Sequence, residues 1–326
     1  MHDVINSFFE EINLNKNKLE NISDEEIEEI INKIINEKLL NENNYIFNAT
    51  EKYKLLVIRL KRIIIKSLKY IIQTLVQSEF NLQGTEVEFS EDGKYKPIIL
   101  ELDSGKKVEI TGKIDRIDIA KDENKNYVRI IDYKSSVKNL DFGDIYAGLQ
   151  LQLITYLDAV CKIEDFVPAG ILYFNLLEQI INSNKKLSEE EIEQKIKNNF
   201  KMKGLILADV RVVKMQDKNL EKGRSEIIPA YIDKTGTLSP KLSSIATEQE
   251  FKDIQEYINS TMKEISEEIF KGNIELKPYY KNKKTPCEYC IYKNMCGFNS
   301  GICKKNYKFI NKINKEEFLK KIQKKR

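Results

Sequence analysis

Two short segments, Gly112-Lys113-Ile114-Asp115-Arg116-Ile117-Asp118 and Ile130-Ile131-Asp132-Tyr133-Lys134-Ser135-Ser136, place two carboxylates and a lysine at spacings suited to neighbouring strands. The first alternates Ile114, Ile117 and Ile119 with charged residues, and the second climbs through Val128, Ile130 and Ile131 into Asp132. Both patterns read as β-strands. Asp132 and Lys134 are two apart, so the period of two in a strand points both side chains to one face. A hard cation such as Mg²⁺ prefers carboxylate oxygens and retained waters, and it can polarise a phosphate while acidifying a bound water. Asp115 and Asp132 would hold such an ion. The Lys134 ammonium would position the attacking water or stabilise charge on the phosphate. Together they are the minimal set for cutting a phosphodiester with a divalent metal. A solvated surface hairpin would carry the same residue types, but the apolar lead into Asp132 speaks for a built site.

The elements that must position these groups follow from the surrounding pattern. The polar run 121–126 between the two strands is a turn, which makes the pair an antiparallel hairpin. Gln152 and Tyr156 are four apart in an apolar segment, on one helix face. Further strands are expected at Thr85–Phe89, Ile98–Leu102, Lys107–Ala120, Val128–Lys134 and Ile171–Leu176. Ser23 with Glu26 is a capping box opening a helix to about Leu40, and Glu51–Gln77 reads as a second, longer helix. Ser188 with Glu191 opens an acidic helix to about Asn199, and a helix over Glu248–Phe270 precedes the cysteine-rich end.

Cys287, Cys290 and Cys296 form a C-x₂-C-x₅-C run after Pro286; Cys303 follows and Cys161 stands apart. Thiolates clustered at such spacing bind zinc or an iron–sulfur cluster. No basic, apolar leader opens the chain, so a reducing cytoplasmic setting is expected and a disulfide framework is not.

The two strand segments resemble those of the PD-(D/E)XK nuclease superfamily in its RecB-like branch. There an upstream His, a G-x-x-D strand, a D-Y-K strand and a following Q-x-x-x-Y helix form the active site. Here the matching positions are His2, Gly112 to Asp115, Asp132 to Lys134, and Gln152 with Tyr156. The resemblance implies metal ligation by His2, Asp115, Asp132 and the Tyr133 carbonyl, with Lys134, Gln152 and Tyr156 serving catalysis and the substrate strand. His2 is the single histidine, and the glycine turn that precedes it in the family does not occur. The chain therefore looks like the C-terminal portion of something longer.

Cys287-Glu288-Tyr289-Cys290-Ile291-Tyr292 through Cys296-Gly297-Phe298 is similar to the cysteine triad of the AddB family, the nuclease subunits of bacterial AddAB helicase–nucleases. Tyr146–Leu157, Pro168–Phe174 and Phe200–Leu205 carry the same likeness. It implies a 4Fe–4S cluster on Cys287, Cys290 and Cys296, with a fourth cysteine expected upstream of Met1. The implied fold is α/β, a restriction-endonuclease-like core whose mixed central sheet is flanked by helices, with a cysteine-rich tail. The expected domains are a nuclease body over 1–280, with a helical insertion at about 180–250, and an iron–sulfur tail over 281–326. The implied activity is Mg²⁺- or Mn²⁺-dependent DNA cleavage by an exonuclease that processes double-strand ends with an AddA-like partner in the bacterial cytoplasm, cutting the strand ending 5′. Two other readings share these residues: a CRISPR-adaptation nuclease with the same triad, and a non-catalytic DNA-binding or assembly module.

The chain's 326 residues, 41% apolar, can bury a sizeable core. No run approaches the roughly 20 apolar residues of a membrane helix. A net charge of +3 is too small to argue for a nucleic-acid partner, but the cations are clustered. Arg59, Lys61, Arg62, Lys66 and Lys69 mark the long helix, and lysines crowd the C-terminus. Such surfaces can track a phosphate backbone. No Walker A pattern occurs, so ATP use does not reside in this sequence.

Overall fold

The computed structural model describes residues 1–13, 16–41, 47, 49–122, 125–162, 165–177, 181, 183–298 and 306–325, the side chains of 39–41 excepted. In chain order the elements are α1 (His2–Glu11), α2 (Lys16–Asn21), α3 (Asp24–Ile35) with a π-helical continuation over Asn36–Asn41, and α4 (Glu51–Val76). Then come β1 (Asn81–Phe89), β2 (Ile98–Glu101), β3 (Lys107–Ile110), β4 (Gly112–Lys121), β5 (Asn126–Lys134), α5 (Phe142–Tyr146), α6 (Gln152–Cys161) and β6 (Phe166–Asn175). The rest comprises α7 (Glu189–Phe200), β7 (Lys203–Leu207), α8 (Val210–Gln216), β8 (Gly223–Arg224), β9 (Tyr231–Ile232), β10 (Ile245–Ala246), α9 (Glu248–Phe270), β11 (Tyr279–Tyr280), β12 (Lys308–Phe309) and α10 (Lys315–Lys325).

The chain divides into two compact units. The first is Met1–Ile98, Thr111–Leu140 and Tyr156–Phe251. It holds a six-stranded sheet in the order β1-β4-β5-β6-β7-β10. β1, β4 and β5 run antiparallel to one another, β6 lies parallel to β5, β7 antiparallel to β6, and β10 parallel to β7. The sheet is therefore mixed, with helices around it, as the sequence implied. Ile131 and Tyr133 of β5 and Leu172 and Phe174 of β6, alternate residues facing one side, share a core with Phe8, Phe9, Ile31, Leu68 and Ile71 of α1, α3 and α4. The intervening residues Ile130, Ile171 and Tyr173 are buried as well. β4 and β5 are buried along nearly their whole length, so the charged residues between their isoleucines, Asp115, Arg116, Asp118, Arg129 and Asp132, are buried too.

The caps expected from the sequence are present. Ser23 accepts from the Glu26 backbone N–H while Glu26 accepts from Ser23, and Ser188 with Glu191 does the same for α7. The lead helix α3 ends at Ile35, short of Leu40, where the backbone passes into the π-helical segment. Lys107–Ala120 is not one strand: Thr111 divides it, sending β3 to pair with β2 and β4 to the main sheet. The stretch at about 180–250 is not simply helical either. Besides α7 and α8 it supplies β7 and β10, both strands of the main sheet. At β10 only Ile245 and Ala246 pair, too short a run to carry a strand signal.

A buried charge network stiffens β4 and β5. Arg116 donates through Nε and Nη2 to Asp118 at 2.7 Å each, and Arg129, cross-strand from Asp118, donates to it at 2.8 Å. All three side chains are fully buried. Burial alone would raise the Asp118 carboxyl, but the two guanidiniums hold it below the usual carboxylate range.

The second unit is Ile99–Ile110, Asp141–Thr155 and Lys252–Arg326. Asp141 caps α5 by accepting from the Gly143 and Asp144 backbone N–H groups, and Lys281 pairs with Asp141 at 2.8 Å and with Asp144 at 2.6 Å. Tyr146 stacks on Tyr257 of α9 with ring centroids 5.9 Å apart, and Phe318 of α10 meets both edge-on. Gly148, at φ +81°, breaks the chain between α5 and α6 in a conformation other residues rarely adopt.

Candidate active site

Asp115 and Asp132 meet because of register. β4 and β5 pair Ile117 with Ile130 and Arg116 with Ile131, so the next step sets Asp115 opposite Asp132. The Tyr133 backbone N–H donates to Asp115 Oδ2 at 2.7 Å, which fixes that carboxylate against the end of β5. Lys134 Nζ lies 2.7 Å from Asp132 Oδ2. The far end of β5 is held by β6, where the Leu176 N–H donates to the Lys134 carbonyl at 2.8 Å.

His2 stands in the first turn of α1, whose buried face of Val4, Ile5, Phe8 and Phe9 anchors it to the core. Its Nδ1 is 3.3 Å from Asp115 Oδ2, and its ring sits edge-on to Tyr133 at 5.8 Å. The structure thus brings His2, Asp115, Asp132, Tyr133 and Lys134 to one place. It adds a residue that the sequence pattern does not single out: Glu86, whose Oε1 is 3.6 Å from His2 Nδ1. One ligand atom each from His2, Glu86 and Asp115 lies within 4.8 Å of the others.

Glu86 belongs to β1, where Thr85 pairs with Arg116 and Val87 with Ile114, so Glu86 is opposite Asp115. Its φ is +49°, a left-handed conformation inside a strand. Such a backbone costs on the order of 1–3 kcal/mol and persists where the surroundings hold it. The Thr85 hydroxyl, donating to Asn6 Oδ1 at 2.5 Å, ties β1 to α1 beside it. In the sequence Glu86 and Glu88 are two acids of an alternating strand, and nothing local separates one from the other.

The electrostatics are those of carboxylates crowded in a half-dry place. Burial pushes the Asp132 carboxyl up to about 6; Lys134 opposes this and the Asp115 charge adds to it. Glu86 is raised by burial first and then by Asp115. His2 is raised chiefly by its hydrogen bond to Asp115, against burial. Asp132 is buried to 1% exposure, and among the described residues neither oxygen accepts a hydrogen bond beyond the adjacent Lys134 ammonium. Buried carboxylate oxygens without donors call for a cation. Oxygen donors with one imidazole suit a hard or borderline divalent ion.

Tyr156 of α6 is buried with its ring edge on Phe89 of β1, centroids 5.6 Å apart. Gly112 makes that packing possible: a Cβ there would lie 2.7 Å from the Phe89 ring and 3.4 Å from Tyr156. Gln152, exposed at the start of the same helix, belongs to the second unit. Cys287, Cys290 and Cys296 are free thiols of the second unit, Cys290 exposed and the others half-buried. Cys287 lies in a single 3₁₀ turn, Pro286–Glu288, capped by Thr285. Cys303 lies outside the described residues. Cys161, in the first unit, has its thiol pushed up to about 12 by burial and stays protonated.

The sequence profile of the PD-(D/E)XK nuclease superfamily matches residues 1–297. Among curated proteins, the chain is 39% identical over 323 residues to an ATP-dependent helicase/deoxyribonuclease subunit of the B type from Clostridium novyi, covering 97% of this chain and 28% of that protein. Proteins of the same name from Acetivibrio thermocellus and Alkaliphilus oremlandii are 38% and 36% identical, over 95% and 99% of this chain and 27% and 28% of theirs. The chain spans less than a third of the length of these relatives.

Proposed function

The chain belongs to the PD-(D/E)XK nuclease superfamily, and from that premise we propose that it is the nuclease module of an AddAB-type helicase–nuclease, hydrolysing DNA phosphodiesters at double-strand ends for recombinational repair. The observation that carries this reading is the convergence of His2, Glu86 and Asp115 beside the buried Asp132–Lys134 pair. His2, Asp115, Asp132 and the Tyr133 carbonyl, with Glu86 added, would hold Mg²⁺ or Mn²⁺. That ion, when bound, supplies Lewis acidity toward a phosphate oxygen and a more acidic water.

The protein's own part is positioning and charge. Asp132 keeps the Lys134 ammonium within 2.7 Å of the carboxylate edge, where it can donate to the attacking water or to a phosphate oxygen. The Tyr133 N–H bond to Asp115 keeps that carboxylate from turning away. Tyr156 is wedged against Phe89, and with Gln152 it would order the substrate strand. Cys287, Cys290 and Cys296 provide three thiols of the kind a 4Fe–4S cluster takes, within a tail over 281–326. The relatives are named as the B subunit of an ATP-dependent helicase/deoxyribonuclease, which supports a multisubunit DNA-processing enzyme as the working form; an AddA-like partner is our reading of the other subunit. Among the described residues no helix is long and apolar enough to cross a membrane.

The test is cleavage of end-labelled single-stranded DNA. Cutting should require Mg²⁺ or Mn²⁺, stop with EDTA, and vanish in Asp132→Ala and Lys134→Ala while DNA binding persists. Full activity in both variants would remove the active-site assignment; metal-independent inertness of the wild type would leave a binding module.

A further inference from the structure

In the first unit α4 and α7, with α3 beside them, enclose an open cleft of about 630 Å³. Lys61, Arg62, Lys66 and Lys69 line it from α4, and Lys197 lines it from α7. Against these five cations the lining offers two carboxylates, Glu28 and Glu193. Lys69 is 2.7 Å from Asp24 and 3.9 Å from Glu28, and Lys197 is 3.1 Å from Glu193, so these acids are already engaged. Lys61 and Lys66 form no ion pair among the described residues, although both are half-buried. A lysine whose stem is packed and whose head lines an open cleft without a counter-charge is placed to pair with an anion.

The cleft's shape is set by packing. Tyr70 of α4 stacks on Phe200 at the end of α7, centroids 4.3 Å apart, which fixes the wall that carries Lys197. From Lys61 to Lys69 the cations extend along about 12 Å of helix at 1.5 Å per residue. A row along an open trough suits a linear polyanion better than a compact one. Resting on the reading of the chain as a DNA nuclease, we infer that this cleft is a binding track for the phosphate backbone of single-stranded DNA, remote in sequence from the metal-site residues, and that the segment carrying α7 supplies its second wall.

The experiment measures binding of a fluorescein-labelled oligothymidylate by anisotropy, in EDTA so that no chemistry intervenes, across a salt series. Each phosphate contact on a single strand contributes about −0.7 to the slope of log K against log salt. Lys61→Gln with Lys66→Gln should therefore flatten that slope by about 1.4 and weaken binding, the loss growing about sevenfold between 200 and 50 mM salt. Glu193→Gln, which releases Lys197, should act in the opposite direction. Unchanged slopes in both variants, absence of any binding by the wild type, or equal displacement of the DNA by polyglutamate would overturn the inference. Separate Mg²⁺ assays distinguish the two readings: flattened slopes without cutting keep the track and sink the nuclease, and cutting with unflattened slopes does the reverse.

Discussion

Asp132→Asn should make the metal-free protein more stable while destroying its activity. Burial pushes the Asp132 carboxyl up to about 6 from an ordinary 3.8. At about 1.4 kcal/mol per tenfold change, carrying this charge near neutral pH costs the fold about 3 kcal/mol. The amide keeps the shape without the charge, and Lys134, 28% exposed, can turn to water. For 326 residues, unfolding entropy of about 2 cal/mol/K per residue converts this to a rise in Tm of roughly 4 °C. The sign follows from the raised carboxyl: between about pH 4 and pH 6 the folded state binds more protons than the unfolded one, so stability is lost as pH rises. The advantage of the variant should thus be greatest above about pH 6 and shrink to about half by pH 5. Calorimetric scans in EDTA at several pH values measure it. Adding Mn²⁺ should then raise the Tm of the wild type and leave the variant where it was. A variant less stable than wild type near neutrality, or a difference that does not shrink in acid, would refute the account of Asp132 as a carboxylate strained by burial and relieved by a cation.

Glu86→Gln should weaken Mn²⁺ binding on the order of tenfold and slow cutting accordingly, as loss of groups that ligate or orient ligands does; titration calorimetry with Mn²⁺ checks it. Because Asp115 raises His2, the stability that this pair contributes is present below about pH 6.5 and fades as pH rises through the folded value. Metal must compete with that proton, so Mn²⁺ affinity should climb from about pH 6 to pH 8, and His2→Ala should flatten the climb. Asp118→Asn, which leaves Arg116 and Arg129 without their buried counter-charge, should cost about 3–5 kcal/mol in denaturant unfolding. Cys290→Ser, prepared anaerobically, should lose iron and the visible absorbance of a cluster relative to wild type; equal iron in both would argue against that cysteine as a ligand.

Much of the site was legible because its residues lie on the simplest element to read. The β4–β5 hairpin announces itself by isoleucine-rich runs on either side of a polar turn, and its register puts Asp115 opposite Asp132. The boundaries of α9 were legible from its length and polar flanks, and α7 from its capping box. Glu86 was not, because its value depends on a left-handed backbone and a partner on another strand, neither of which leaves a local trace. The break at Thr111 was hidden because Lys107–Ile110 continues the alternation of β4, and only pairing distinguishes the two strands. The cysteine spacing speaks to ligand chemistry but not to where a fourth ligand would come from.

The most direct measurement is single-turnover cleavage of end-labelled single-stranded DNA by wild type and Lys134→Ala across a Mg²⁺ titration, with Mn²⁺ binding followed in parallel. Cutting should rise with Mg²⁺ in the wild type, be abolished by EDTA, and be lost in Lys134→Ala although that variant still binds Mn²⁺. Cutting that survives EDTA, or proceeds at the wild-type rate in Lys134→Ala, would contradict this mechanism.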